Sequence, residues 1–253
     1  MIKIIKKILK KLGIQVNRLN EDIIVVNRQF WIPFKEKDQN HKLYLEGHKR
    51  AGEEWTDEFP KQLRFHSLMQ ITRKIISNDK IYDFAECGCW RGHSSYLISK
   101  MIEESNKNIS FHIFDSFEGL SISTPEDKDF FHKDEKFKNW LTKHFSSSES
   151  FVKNEVLGAF DFIKTYKGWI PSRFSEVENK QFSLVHVDVD LYQPTLDCLD
   201  FFFPRLVKGG AIICDDYNCS EFPGAKDAWD KYFKNQKFDL FYESPFGGCF
   251  IIK

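Results

Sequence analysis

Two apolar runs in this chain end on acids. FSLVHVDVD, residues 182–190, carries Asp188 and Asp190, and GGAIICDD, residues 209–216, closes on Asp215 and Asp216. A carboxylate taken out of water is costly unless something compensates its charge. Neighbouring strand ends would gather Asp188, Asp215 and Asp216 into one pocket, where like charges raise one another's pKa or recruit a cation. An all-oxygen donor set favours a hard divalent ion, magnesium first and calcium or manganese behind it. Such an ion would chelate an acceptor's oxygens, lower the pKa of its hydroxyl and align the resulting oxyanion for attack. Taken singly, Asp216 or Asp190 reads as a turn residue or a helix cap. Alternation puts Asp190 on the side of Asp188, but the chain is expected to have left the strand by then, which makes Asp190 a supporting residue.

A second constellation lies upstream. ECGCWRGHSS, residues 86–95, joins a strand to a helix through Gly88 and Gly92. Glycine there allows a tight turn and a close approach of ligand atoms to the backbone. The free N–H groups of the following helix would welcome an anionic group. The spacing is not GxGxxG, and Trp90 stands where a third glycine would, so the turn alone is equally a plain strand–helix connection. Asp115 adds to it by closing the next strand, where an acid accepts hydrogen bonds from both hydroxyls of a ribose. A nucleoside-containing cofactor follows, and NAD and S-adenosylmethionine both fit; a dehydrogenase, however, has little use for a metal at the second constellation.

The elements that must position these residues alternate between strand and helix. A helical pattern over 61–78 precedes the strand IYDFAECGCW, the helix HSSYLISKMIEES and the strand NISFHIFD. Residues 121–150 are polar and long enough for a lid. A helix near 149–159 and a strand ending at Lys167–Gly168 come next, then FSLVHVDVD, the helix PTLDCLDFFFPRL, the strand GGAIICDD and the helix GAKDAWDKYFKNQ. FDLFYES and GCFIIK close the chain as a hairpin. This order implies crossover connections and a mainly parallel sheet, which binds ligands at the carboxyl ends of its strands. One α/β domain over 61–253 with a loop-rich extension over 1–60 is the expected organisation.

Composition agrees with a folded enzyme. The 253 residues are 42% hydrophobic, with 26 Phe and 6 Trp, and 37 basic residues balance 37 acidic ones. That balance argues against broad nucleic-acid binding, which needs a surplus of Lys and Arg. Six scattered cysteines without CxxC pairs read as free thiols in a reducing cytoplasm. The N-terminal MIKIIKKILKKLGI spaces its apolar residues as a basic amphipathic helix that lies on an anionic membrane face, packs on the domain or joins a second subunit.

The blocks AECGCWRGHSS, FDSFEGL, GWIPSRF, VHVDVDLYQPTLDCLDFFFPRLVKGGAIICDDY and FPGAKDAW resemble, in order, those of the macrocin O-methyltransferase family, over roughly residues 61–235. The resemblance implies a Rossmann-like class I methyltransferase fold with helices on both faces of its sheet. It also implies S-adenosylmethionine and magnesium as cofactors and a sugar or glycan hydroxyl as acceptor, in polysaccharide or secondary-metabolite glycan synthesis. It assigns Glu86, Gly88, Trp90, Gly92, Ser94 and Asp115 to the cofactor, with Gly168 and Trp169 near the adenine. Asp188, Asp215 and Asp216 go to the metal. Asp188 is also the first candidate to draw off the hydroxyl proton, with His132 and His144 competing from the lid segment. The first 60 residues and 121–150 fit no pattern of the family, so the antibiotic-sugar substrates of its members are not carried over. The basic N-terminus suits a surface-polysaccharide or lipid-linked sugar at the inner face of the membrane. A catechol-like hydroxyl and a non-catalytic cofactor-binding protein are the alternatives, the intact acids speaking against the latter.

Overall fold

Short runs rich in Ile, Val and Phe between turn residues make strands when one or both of their faces can be buried. The computed structural model describes residues 38–52, 57–128, 130–244 and 247–253, together with the backbone of 14–19 and 22–27. Nine strands are described: β1 (Ile14–Leu19), β2 (Asp22–Asn27), β3 (Asp83–Cys87), β4 (Phe111–Asp115), β5 (Ile163–Lys167), β6 (Phe182–Val187), β7 (Leu206–Cys214), β8 (Leu240–Glu243) and β9 (Cys249–Ile252). The helices are α1 (Gln39–Ala51), α2 (Phe59–Ile76), α3 (His93–Ser105), α4 (Glu135–Phe145), α5 (Tyr192–Arg205) and α6 (Pro223–Phe233).

β1 and β2 pair antiparallel on their own, while the other seven strands form one sheet in the order β5–β4–β3–β6–β7–β9–β8. β3 to β7 run parallel, and β9 and β8 return antiparallel at one edge as the expected hairpin. The chain builds outward from β3 to β5 and then crosses back to lay β6 on the other side of β3. The crevice where such a reversal occurs is the ligand position of open α/β sheets.

Alternation along the strands supplies a core on each face. Phe84, Ile113, Leu184 and Ile213 pack with Tyr44, Phe65, Leu97 and Met101 of α1, α2 and α3. Ala85, Val185 and Ile212 pack on the other face with Phe202 of α5 and Trp229 of α6. All six cysteines are free, and five of them are buried.

The structure departs from the sequence reading in several places. α1 occupies part of the expected loop-rich lead-in and buries Leu43, Tyr44, Gly47, His48 and Ala51. That stripe contains a glycine and a histidine among charged neighbours, so apolar periodicity misses it. The 121–150 segment, expected as a lid, holds a 3-10 turn, Pro125–Asp127, and α4. Val187 and Cys214 end their strands, so Asp188 and Asp215 are the first residues beyond them, whereas Glu86 lies inside β3. The proposed basic helix falls on residues outside those described, apart from Ile14, which begins β1. Among the described residues no helix is long and apolar enough to cross a membrane.

Candidate functional site

The site begins where β3 and β6 end side by side. Gly88 N–H donates to the Phe114 oxygen, and Asp188 N–H donates to the Cys87 oxygen, each at 2.8 Å. Gly88 has φ +81°, and a Cβ there would meet the Asp188 carbonyl oxygen at 1.8 Å. Glycine at this position therefore serves the contact between two strand ends, as well as leaving the backbone open to a ligand. Gly92, at φ +83°, is the N-cap of α3; a Cβ on it would crowd Val152 and Val156. Its role is packing against the π-helical turn Val152–Val156.

A cleft of about 740 Å³, partly open to solvent, extends from this point. Gly88, Trp90, Asp115, Trp169, Asp188 and Asp190 all line it, which unites residues from the ends of four strands. Asp115 works as the turn's anchor. Its Oδ2 accepts from the N–H groups of Cys89 (2.6 Å) and Trp90 (3.0 Å), and its Oδ1 from that of Phe117 (2.6 Å). Burial raises its pKa, and the three amides work against that rise. Trp90 holds an unusual positive φ and donates its indole N–H to the His144 oxygen, while Ser147 donates to the Trp90 oxygen. Residues 144–147 are thereby fastened over the first turn. Trp169 is 40% exposed at the cleft. Gly168 precedes it in the chain and donates its N–H to the Asp115 carbonyl oxygen at 3.0 Å.

Four residues assigned to the cofactor do not line the cleft: Gly92, Gly168, Ser94 and Glu86. Ser94 is buried in the first turn of α3 and does not line the cleft. Glu86 is wholly buried between sheet and helices, accepting from Ser95 Oγ and lying 2.9 Å from His186 Nδ1.

The acids gather as expected. Asp188, Asp215 and Asp216 each offer a carboxylate oxygen within 4.8 Å of the others. Their environments differ. Burial and then the charges of Asp215 and Asp216 push Asp188 well above the usual carboxylate range. Burial and then Asp215 push Asp216 up to about 6. Burial would raise Asp215 as well, but the Arg64 guanidinium, 2.8 Å away, and His186 hold it well below its ordinary value. His186 is itself pushed up to about 10: burial opposes its charge, and Asp215 and Glu86 together outweigh burial. Its Nε2 lies 3.9 Å from Asp215, too far for a hydrogen bond but close enough for Coulomb attraction.

Two cations thus face five carboxylates: Glu86, Asp188, Asp190, Asp215 and Asp216. The negative excess, all of it oxygen, suits a hard divalent cation. Asp190 is in the left-handed region at φ +62° and gives its N–H to Asp216 Oδ2 at 2.8 Å. It does not cap α5, whose first N–H goes to Asp127. Of the two histidines, His132 is exposed beside Phe131, and His144 stacks with Trp140 and lies against Trp90.

Sequence reasoning missed Arg64, His186 and Asp127. His186 left a signal, being a polar residue inside an apolar strand on the same face as Asp188. Arg64 left none, because its partner is 151 residues away.

Residues 8–240 match the macrocin-O-methyltransferase (TylF) family. The match takes in both the lead-in and the 121–150 segment, which had fitted no pattern of the resemblance. The chain is 25% identical over 210 residues to a demethyldecarbamoylnovobiocin O-methyltransferase of Streptomyces niveus, covering 78% of this chain and 76% of the relative. It is 23% identical over 175 residues to a mycinamicin III 3''-O-methyltransferase of Micromonospora griseorubida, covering 67% of each. A tetracenomycin-C 4'-O-methyltransferase of Streptomyces olivaceus, whose full name includes a dimethoxy-rhamnosyl group, is 26% identical over 163 residues, 61% of this chain and 60% of its own. In fold the chain is similar to the O-methyltransferase NovP, with a TM-score of 0.64 at 22% identity over 82% of this chain and 88% of that one.

Proposed function

Because the chain belongs to the macrocin-O-methyltransferase family, we propose that this O-methyltransferase moves the methyl group of S-adenosylmethionine onto a sugar hydroxyl, with magnesium held by Asp188, Asp215 and Asp216. The observation that carries the reading is the meeting of those three carboxylates within 4.8 Å beside a cleft that starts at Gly88. The rhamnosyl group in the name of the Streptomyces olivaceus relative supports a sugar acceptor.

The cofactor would occupy the cleft, its ribose toward Asp115 and its adenine toward Trp169. When bound, magnesium supplies positive charge that lowers the pKa of an acceptor hydroxyl. The protein's own residues prepare for that. Asp115 fixes the Cys89 and Trp90 amides and so holds the turn in shape before any ligand arrives. Arg64 and His186 keep Asp215 ionised and therefore able to act as a ligand. Asp188, which lines the cleft and stands with the two other carboxylates, is the candidate to take the hydroxyl proton. His132, exposed and outside the cleft lining, is the weaker competitor. His144 retains a place at the rim through Trp90.

Calorimetry tests the cofactor assignment. Titrating the protein with S-adenosylmethionine should release or absorb heat and titrating it with NAD should not; the opposite result sinks the reading. Screening sugar nucleotides and glycan fragments for methyl transfer would then identify the acceptor. Activity that survives EDTA would remove magnesium from the mechanism.

A further inference from the structure

Asp127 lies in the 121–150 segment, outside the acidic cluster and outside the cleft lining, yet it is 1% exposed. A carboxylate so buried requires hydrogen-bond partners, and those of Asp127 come from its own turn and from a helix 65 residues away. Its Oδ1 accepts from the N–H of Tyr192, the first residue of α5, at 2.7 Å. Its Oδ2 accepts from the N–H of Thr124 at 2.7 Å and closes the 3-10 turn. Leu191, at the N-cap of α5, has no side-chain acceptor of its own. The opening amides of a helix need a partner and favour a negative charge. Asp127 provides both from outside the helix.

A third element closes the arrangement. A Cβ on Gly224, in the first turn of α6, would come 2.2 Å from Asp127 Oδ1. Lys128 pairs with Asp227 of the same helix at 2.5 Å. The acidic residues Asp188 and Asp190 immediately precede Leu191 and Tyr192, and Leu120 and Ser121, shortly before Asp127, line the cleft. Neither the acidic loop nor the 121–128 stretch can shift alone without leaving a buried carboxylate or amide unpaired, which costs about 1–3 kcal/mol or more.

We propose that Asp127 is a positioning residue that ties the 121–150 segment to the acidic loop 188–191, so that one carboxylate sets the metal and acceptor end of the site against its lid. The inference rests on the reading of Asp188, Asp215 and Asp216 as a magnesium site.

The test compares the full-length wild type with Asp127→Ala and Asp127→Asn by hydrogen exchange and by calorimetry with magnesium chloride and with S-adenosylmethionine. Asp127→Ala should speed amide exchange in both 121–128 and 188–195. It should weaken magnesium binding about 10- to 100-fold, the usual effect of removing a group that orients metal ligands, and leave S-adenosylmethionine affinity nearly unchanged. Asp127→Asn keeps one oxygen for the Tyr192 amide and should fall between; it carries the comparison if the alanine variant does not fold. Faster exchange confined to 121–128, or a parallel loss of both ligands, would overturn the proposal in favour of a purely structural role. If the wild type itself gives no heat with magnesium, the metal reading fails, and the exchange pattern still decides whether Asp127 joins the two segments.

Discussion

The carbonyl oxygen of Asp188 lies where a side chain on Gly88 would begin, 1.8 Å from an ideal Cβ. The ends of β3 and β6 touch through the one residue type that has no Cβ. Gly88→Ala must therefore force the strand ends apart and also hold alanine in the left-handed region, a conformation that alone costs about 1–2 kcal/mol. Denaturant unfolding should show a loss at least that large, together with weaker S-adenosylmethionine binding. Unchanged stability would mean that the two strand ends separate easily.

Glu86 should prove a residue of folding more than of cofactor contact. Glu86→Ala leaves the His186 charge buried beside Asp215 with one partner fewer. Breaking a buried pair in this way typically costs about 3–5 kcal/mol. Urea unfolding measures that loss. A variant of nearly wild-type stability that no longer binds S-adenosylmethionine would return Glu86 to the cofactor.

Asp188 and Asp190 should separate cleanly in their effects. Asp188→Asn removes a member of the three-carboxylate group and should abolish the heat of magnesium binding. Asp190→Asn keeps the backbone N–H that bonds Asp216 and should preserve most of the affinity. Equal losses would place Asp190 among the ligands.

Arg64 supplies Asp215 with positive charge of the kind the proposed metal would bring. Arg64→Met leaves His186 as the one cation beside Asp215 among the described residues, so the free protein should melt at a lower temperature than wild type. Magnesium should then raise the melting temperature of the variant by more than it raises that of the wild type, because ligand binding to the native state stabilises it. A smaller rise would mean that Arg64 helps to build the metal site.

In the proposed metal site magnesium and protons would compete for Asp216, whose carboxyl is pushed up to about 6 by burial and by Asp215. Metal binds the deprotonated form, so affinity should weaken as pH falls through that value, by up to about tenfold per unit for each proton displaced, with Asp188, also raised, adding its own proton. Calorimetry from pH 8 to pH 5 measures the slope. In Asp216→Asn the dependence should become shallower by the one proton that Asp216 contributes.

Much of this site was legible because strand ends announce themselves. An apolar run that stops on an acid marks a rim position, and Asp115, Asp188, Asp215 and Asp216 were found in that way. Gly88 was legible as a turn glycine, though its neighbour across the turn was not. α1 was hidden because its buried stripe uses Gly47 and His48, and charged residues interrupt the apolar period.

The linear chain alone determined the alternation of strand and helix, the parallel sheet, the acids at the strand ends and the balanced charge, since each follows from local pattern and composition. The tertiary structure decided which charges compensate which. Arg64 reaches Asp215 across 151 positions, His186 meets Glu86 across 100, and Asp127 reaches the start of α5 across 65. Such pairings leave no periodic signal, because they depend on how helices lie on the sheet and on how deeply each carboxylate is withdrawn from water. Burial then gives three similar acids different proton affinities, and that difference comes from their surroundings rather than from their own chemistry.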